Sequence, residues 1–232
     1  MNQTLKIYGL TQEEVNEKIS PIKEKYSDST KISVKEKYLD VAIDISSIND
    51  NNISDAVREI CETLADNLYA ESNQTLYEKL ADCLTIRGKT ICLLEQATGG
   101  VIAANLLAID NVQDKIIKSL VLPNVSSWLS FADIPSNILF ESGGISSKLV
   151  FMLASALRRT TIADYYIVSI SNSASGIDVY KKSGNNENFA LVAIGDESGV
   201  EIYKEQLDGS IRDQNNQVAK NICYKLINKL KK

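Results

Sequence analysis

Residues 90–107 read TICLLEQATGGVIAANLL, and this stretch constrains the fold more than any other. Four consecutive apolar residues, Ile91 to Leu94, have the form of a buried strand. They run into a short polar turn, Glu95-Gln96-Ala97-Thr98, then two glycines, then an apolar helix predicted over roughly 98–108. A buried strand passing through a glycine-bearing turn into a helix is a joint of α/β folds. The polar turn at such a joint is where these folds often hold ligands and nucleophiles. Here it offers no Ser, Cys or Lys between the strand and Thr98.

The chemistry open to the chain is narrowed further by what it lacks. It contains no histidine. A Ser-His-Asp triad, a Cys-His dyad and a His-ligated metal are therefore excluded, and proton transfer falls to Asp, Glu, Lys, Tyr or Cys. The four cysteines, Cys61, Cys83, Cys92 and Cys223, form no CxxC pair. They read as small buried hydrophobes that stay reduced, not as a metal site. Neither a metal nor a cofactor is expected.

At 232 residues, with 44% hydrophobic and 24% charged content, the chain can bury a sizeable core. Its length suits one large domain, or one medium domain with a small companion. No apolar run approaches the roughly 20 residues that span a bilayer, and MNQTLKIYGL has no signal-peptide form. A soluble cytoplasmic protein with no membrane partner is expected. The net charge of −5 argues against general affinity for nucleic acid, which requires clustered Lys and Arg.

Along the chain, Thr4–Tyr8 alternates as a strand that Gly9 ends. Thr11 followed by Glu14 is a capping box opening a helix that Pro21 is expected to end or kink. TKISV and YLDVAIDI read as a hairpin about Lys35-Glu36-Lys37. Ile53, Val57, Ile60, Leu64 and Leu68 then line one face of a helix. Residues 1–72 thus form a small α+β module, and AESNQ reads as a linker. In residues 74–232, Leu76, Leu80 and Leu84 share a helix face that Gly88 stops. Strands follow at Lys89–Leu94, KIIKSLVLP, YYIVSIS, FALVAIG and VEIYKEQL, the last two a hairpin about DESG. Residues 124–144 read as irregular and hold Trp128. Ser146 caps a helix, and a final helix starts near Ser210.

From residue 76 to 108 this order resembles the C-terminal domain of the CinA family, the nicotinamide-nucleotide (NMN) amidohydrolase domain. That family writes the turn as Glu-Ser-Cys-Thr-Gly-Gly; here it is Glu95-Gln96-Ala97-Thr98-Gly99-Gly100. Gly143-Gly144-Ile145-Ser146 is similar to the family's Gly-x-Val-Ser, and Ile211-Arg212 to its Ile-Arg before the last helix. Residues 1–72 resemble the KH-type segment that precedes this domain, and the family's amino-terminal molybdopterin-binding-like domain is expected to be missing. The resemblance implies a three-layer α/β C-terminal domain with a mixed sheet between helices, preceded by a small KH-like α+β module. It also implies a homo-oligomer and an NMN-like small-molecule partner.

The departures bear on activity. The resemblance places the family's nucleophilic Ser at Gln96, and a carboxamide is not a nucleophile. Its Tyr and Lys fall by register near Pro123 and Trp128. Its Thr-Gly-Ile loop falls near SISNSASGI, where Ser171 replaces the Thr. Loss of Ser, Tyr and Lys together removes one proton-transfer unit. The expectation is a degenerate site and a non-catalytic nucleotide-binding or structural protein. The alternative is NMN deamidation through a relocated Ser126, Ser127 or Ser171. The residues expected to hold a ligand are Glu95, Gln96, Thr98, Gly99, Gly100, Ser171 and Arg212, with Thr98-Gly99-Gly100 acting either as a plain helix start or as an anion site. RNA binding is not expected. A KH clamp needs GxxG, whereas the module has only Gly9 and an acidic surplus of about six charges.

Overall fold

The computed structural model describes residues 2–37, 39–47, 50–174, 176–180 and 187–231. Tyr38, at the head of the second expected hairpin strand, and Ser175, within the SISNSASGI loop, lie outside them. The chain forms two compact units, Met1–Lys79 and Leu80–Lys232.

The first unit runs β1 (Asn2–Tyr8), α1 (Gln12–Lys25), β2 (Thr30–Lys37), β3 (Asp40–Ser47), α2 (Asp50–Thr63) and β4 (Leu68–Ala70). Its sheet is antiparallel in the order β2-β3-β1-β4. That is the split-βαβ, ferredoxin-like arrangement. Leu5, Ile7, Val41, Ile43 and Ile45 point from the strands onto Val15, Ile19, Ile53 and Ile60 of the helices. The Thr11–Glu14 capping box forms as read.

Three readings are corrected in this unit. Pro21 neither ends nor breaks α1, which continues to Lys25. Proline cannot supply the N–H that would reach Glu17 O, and the Ser20 hydroxyl donates to that carbonyl instead, at 2.9 Å. Lys35, Glu36 and Lys37 continue β2, and the turn falls after them. An edge strand carries charge readily because its outer rim faces water. Leu68 is not on the helix but opens β4, where it pairs with Ile7.

The second unit follows α3 (Leu76–Arg87), within which the division falls. It comprises β5 (Ile91–Glu95), α4 (Val101–Leu107), β6 (Ile116–Leu120), α5 (Val125–Ala132), α6 (Asn137–Ser142), α7 (Ser147–Thr160), β7 (Tyr165–Ser171), β8 (Phe189–Gly195), β9 (Val200–Gln206) and α8 (Ile211–Lys231). The sheet order is β6-β5-β7-β8-β9. β5 is parallel to β6 and β7, while β7-β8 and β8-β9 are antiparallel. Cys92, Leu94, Val168 and Ile170 meet α5 and α7 on one face. The alternating residue Glu95 reaches α4 on the other. The result is a mixed sheet between two helical layers, as expected. The Ser146 cap on α7 and the DESG hairpin also form.

The segment read as irregular contains two short helices. Asn124 caps α5, its side chain accepting the Ser127 N–H, and Gly143 ends α6 at φ 71°. Among the described residues no helix is long and apolar enough to cross a membrane.

Candidate functional site

The turn after β5 is organised by Glu95. This residue closes an apolar strand and is fully buried. A buried carboxylate requires dense hydrogen bonding, and Glu95 has it. Oε2 accepts the Thr98 hydroxyl at 2.7 Å and the Ile102 N–H at 3.0 Å; Oε1 accepts the Ala103 N–H at 3.0 Å and the Ser119 hydroxyl at 3.5 Å. The carboxylate therefore sits on the positive end of α4, where a negative charge is favoured. The charge that an external anion would bring is already supplied by the chain.

Two expectations change with this geometry. Thr98 is not the helix cap: its hydroxyl turns inward to Glu95, and the capping position is Gly100, at φ 87° with no side-chain cap. The helix starts at Val101, and its first-turn donors Ile102 and Ala103 are occupied. α4 has only seven residues.

The glycine pair is required by shape. Gly99 and Gly100 both lie in the left-handed region, at φ 60° and 87°. A Cβ on Gly99 would come within 2.7 Å of the Asn215 side-chain amide, and one on Gly100 within 3.1 Å of Val121. Oriented with its nitrogen toward the turn, the Asn215 amide donates to Ala97 O at 2.9 Å and to Ile211 O at 3.1 Å. Asn215 thus fastens the first turn of α8 to the turn after β5. Its sequence signal is the polar run Arg212–Gln217 at a helix start, which is also what an exposed first turn looks like.

Gln96 joins the two central strands. Its backbone N–H and that of Ala97 both donate to Ser169 O, at 2.9 and 3.1 Å. Its side-chain Oε1 accepts the Ser171 N–H at 2.6 Å and lies 3.2 Å from the Ser171 hydroxyl. That hydroxyl is also 2.9 Å from the Ser173 hydroxyl. Ser169 is fully buried, with its hydroxyl 3.4 Å from that of Thr98. Both Ser169 and Asn215 belong to the site and neither was expected.

Ser127 donates its hydroxyl to Asn124 O at 2.7 Å, Ser126 is exposed, and Ser171 is bonded to Gln96 and Ser173. Among the described residues, none of these three hydroxyls is hydrogen-bonded to Lys, Tyr, Asp or Glu. Trp128 is fully buried among Leu94, Leu149 and Ile170, its indole N–H donating to Leu122 O at 2.8 Å. The Thr98–Glu95 pair joins a hydroxyl to a carboxylate, but both residues are at 0% exposure. Arg212 is exposed on the first turn of α8 and makes no ion pair among the described residues. Below the turn, burial first and the Glu95 charge second push the Cys223 thiol far up. All four cysteines are free thiols.

Residues 73–231 match the model of the CinA C-terminal domain. A CinA-like protein of Dictyoglomus turgidum is 25% identical over 190 residues, covering 82% of this chain and 43% of that protein. A putative competence-damage inducible protein of Finegoldia magna is 22% identical over 231 residues, covering 94% and 52%. The chain thus spans about half the length of the curated relatives it matches. Among solved structures, a competence or damage-inducible protein from Enterobacter asburiae superposes with a TM-score of 0.57 at 22% identity. That alignment covers 68% of this chain and 99% of that one.

Proposed function

Because the chain belongs to the CinA family through its C-terminal domain, we propose that it is a non-catalytic member of that family. In this reading the amidohydrolase chemistry on nicotinamide mononucleotide is lost and the turn serves as a structural joint. The observation that carries this is Gln96 Oε1 on the Ser171 N–H at 2.6 Å. The side chain at the position the resemblance gives to the nucleophile is spent holding β5 to β7. An amide that accepts a backbone N–H neither attacks a carbon nor takes up a proton at neutral pH.

Two further features support the reading. The resemblance places the family's Lys near Trp128, whose indole is fully buried in the apolar core, so a restored serine would find no lysine at that position. The α4 donors are satisfied by Glu95, so the turn holds its own anion. A relocated serine is the rival reading, and among the described residues Ser126, Ser127 and Ser171 make no hydrogen bond to a basic or acidic side chain. Ammonia release from NMN by the purified chain tests the proposal. Calorimetry with NMN tests the joint role, and heat of binding that Arg212→Ala abolishes would restore the ligand-binding reading.

A further inference from the structure

β9 and α8 face each other through two pairs of side chains. Tyr203 and Glu205, two residues apart, project to the same side of β9. Asn221 and Lys225, four apart, share one face of α8. One pair is closed: Asn221 Nδ2 donates to Glu205 Oε1 at 2.6 Å. In the other, the Lys225 ammonium stands 4.3 Å from the centroid of the Tyr203 ring. Glu205 is only 7% exposed, and its Oε2 is buried with no hydrogen-bond partner among the described residues. An unpaired carboxylate oxygen in such a place is costly when charged. The cation whose charge acts on it, Lys225, is one helical turn from Asn221 and lies over a ring.

We infer that Glu205 and Lys225 form a proton-operated latch between the edge strand β9 and the C-terminal helix. With the Glu205 carboxyl protonated, Lys225 rests on the Tyr203 ring. When the proton leaves to solvent, the ammonium moves from the ring to Oε2. Other charges near this seam are committed elsewhere. Glu201 on β9 pairs with Lys229 at 2.6 Å, and Lys204 lies over Phe189 and near Glu187. β8, which pairs with β9, contributes Ala190 opposite Glu205 and carries no charge. From α7, Arg158 reaches Asp196 O at the hairpin. Among the described residues, Lys225 is the cation whose charge acts on Glu205.

Burial raises the Glu205 carboxyl to about 7, opposed by Lys225 and the Asn221 hydrogen bond. The folded chain therefore binds this proton more tightly than the unfolded chain. Stability is highest below the ordinary carboxylate range, falls as pH rises toward about 7, and is level above it. The latch acts on the same helix that carries Asn215 onto Ala97.

Carboxyl-detected NMR of the full chain tests this. Glu205 is expected to titrate near pH 7, with the Tyr203 ring resonances shifting at the same midpoint. E205Q is expected to remove both transitions. K225M is expected to move the Glu205 midpoint upward and to silence the Tyr203 response. A Glu205 midpoint in the ordinary carboxylate range, a Tyr203 ring that does not sense it, or a midpoint unmoved by K225M would each overturn the latch.

Discussion

Gln96 and Ser171, 75 residues apart in sequence, are joined by a 2.6 Å hydrogen bond from the Ser171 N–H to the Gln96 side-chain carbonyl. The bond crosses from the end of β5 to the end of β7, where the parallel ladder stops at Glu95 opposite Ser169. It extends the pairing of the two central strands by one side chain.

Removing that side chain leaves the Ser171 N–H, on a residue 3% exposed, without its partner. Gln96→Ala should destabilise the C-terminal domain by about 1–2 kcal/mol. Denaturant unfolding measures this, and an unchanged midpoint would mean the clasp contributes nothing.

Gly99 and Gly88 have nearly the same backbone, φ 60° and 62°, but different surroundings. A Cβ on Gly88 meets nothing within 4 Å, whereas one on Gly99 meets Asn215 at 2.7 Å. Gly88→Ala should cost about 1–2 kcal/mol from the left-handed backbone alone. Gly99→Ala should cost a further 1–3 kcal/mol or so from overpacking. Adding Asn215→Ala should recover part of the difference in a double-mutant cycle, and strict additivity would contradict the contact.

Glu95→Gln keeps the size of the side chain but turns an NH2 group toward the Ile102 or Ala103 N–H. Donor then faces donor in a buried site. The expected loss is about 2–4 kcal/mol, read by thermal or denaturant unfolding. A loss below about 0.5 kcal/mol would show that the carboxylate does not hold the start of α4.

Much of this architecture was legible because it rests on local signals. Thr11 with Glu14, Ser146 before α7 and the DESG hairpin each declare themselves within a few residues. The joint at 90–107 gave the buried strand and the helix that follows. What escaped depends on which partner a side chain takes, near or far. Thr98 resembles a cap, yet Glu95 draws its hydroxyl inward. Pro21 resembles a stop, yet Ser20 supplies the missing donor. α5 is only eight residues long, too short for periodicity to declare, and Asn215 matters only because α8 begins beside the turn. The resemblance places the family's nucleophile at Gln96, but the clasp was not readable, since Ser171 lies far along the chain.

The edge strand β6 leaves Ile117 47% exposed, and Val121 just beyond it 50% exposed. Exposed apolar side chains at a sheet edge favour association. The chain should therefore self-associate, and Ile117→Lys should weaken that association. Light scattering at micromolar concentration reads the mass, and a value near 25.6 kDa for the unmodified chain would contradict this.

The proposed function requires that the turn after β5 carry no amidohydrolase chemistry. Ammonia release from NMN, measured side by side for the unmodified chain and for Gln96→Ser, tests it most directly. No turnover above background is expected for either protein, because the resemblance places Trp128 where the family has its Lys. Turnover of about 1 per second or more by the unmodified chain would overturn the proposal outright. The same rate from Gln96→Ser alone would show that a base is present after all.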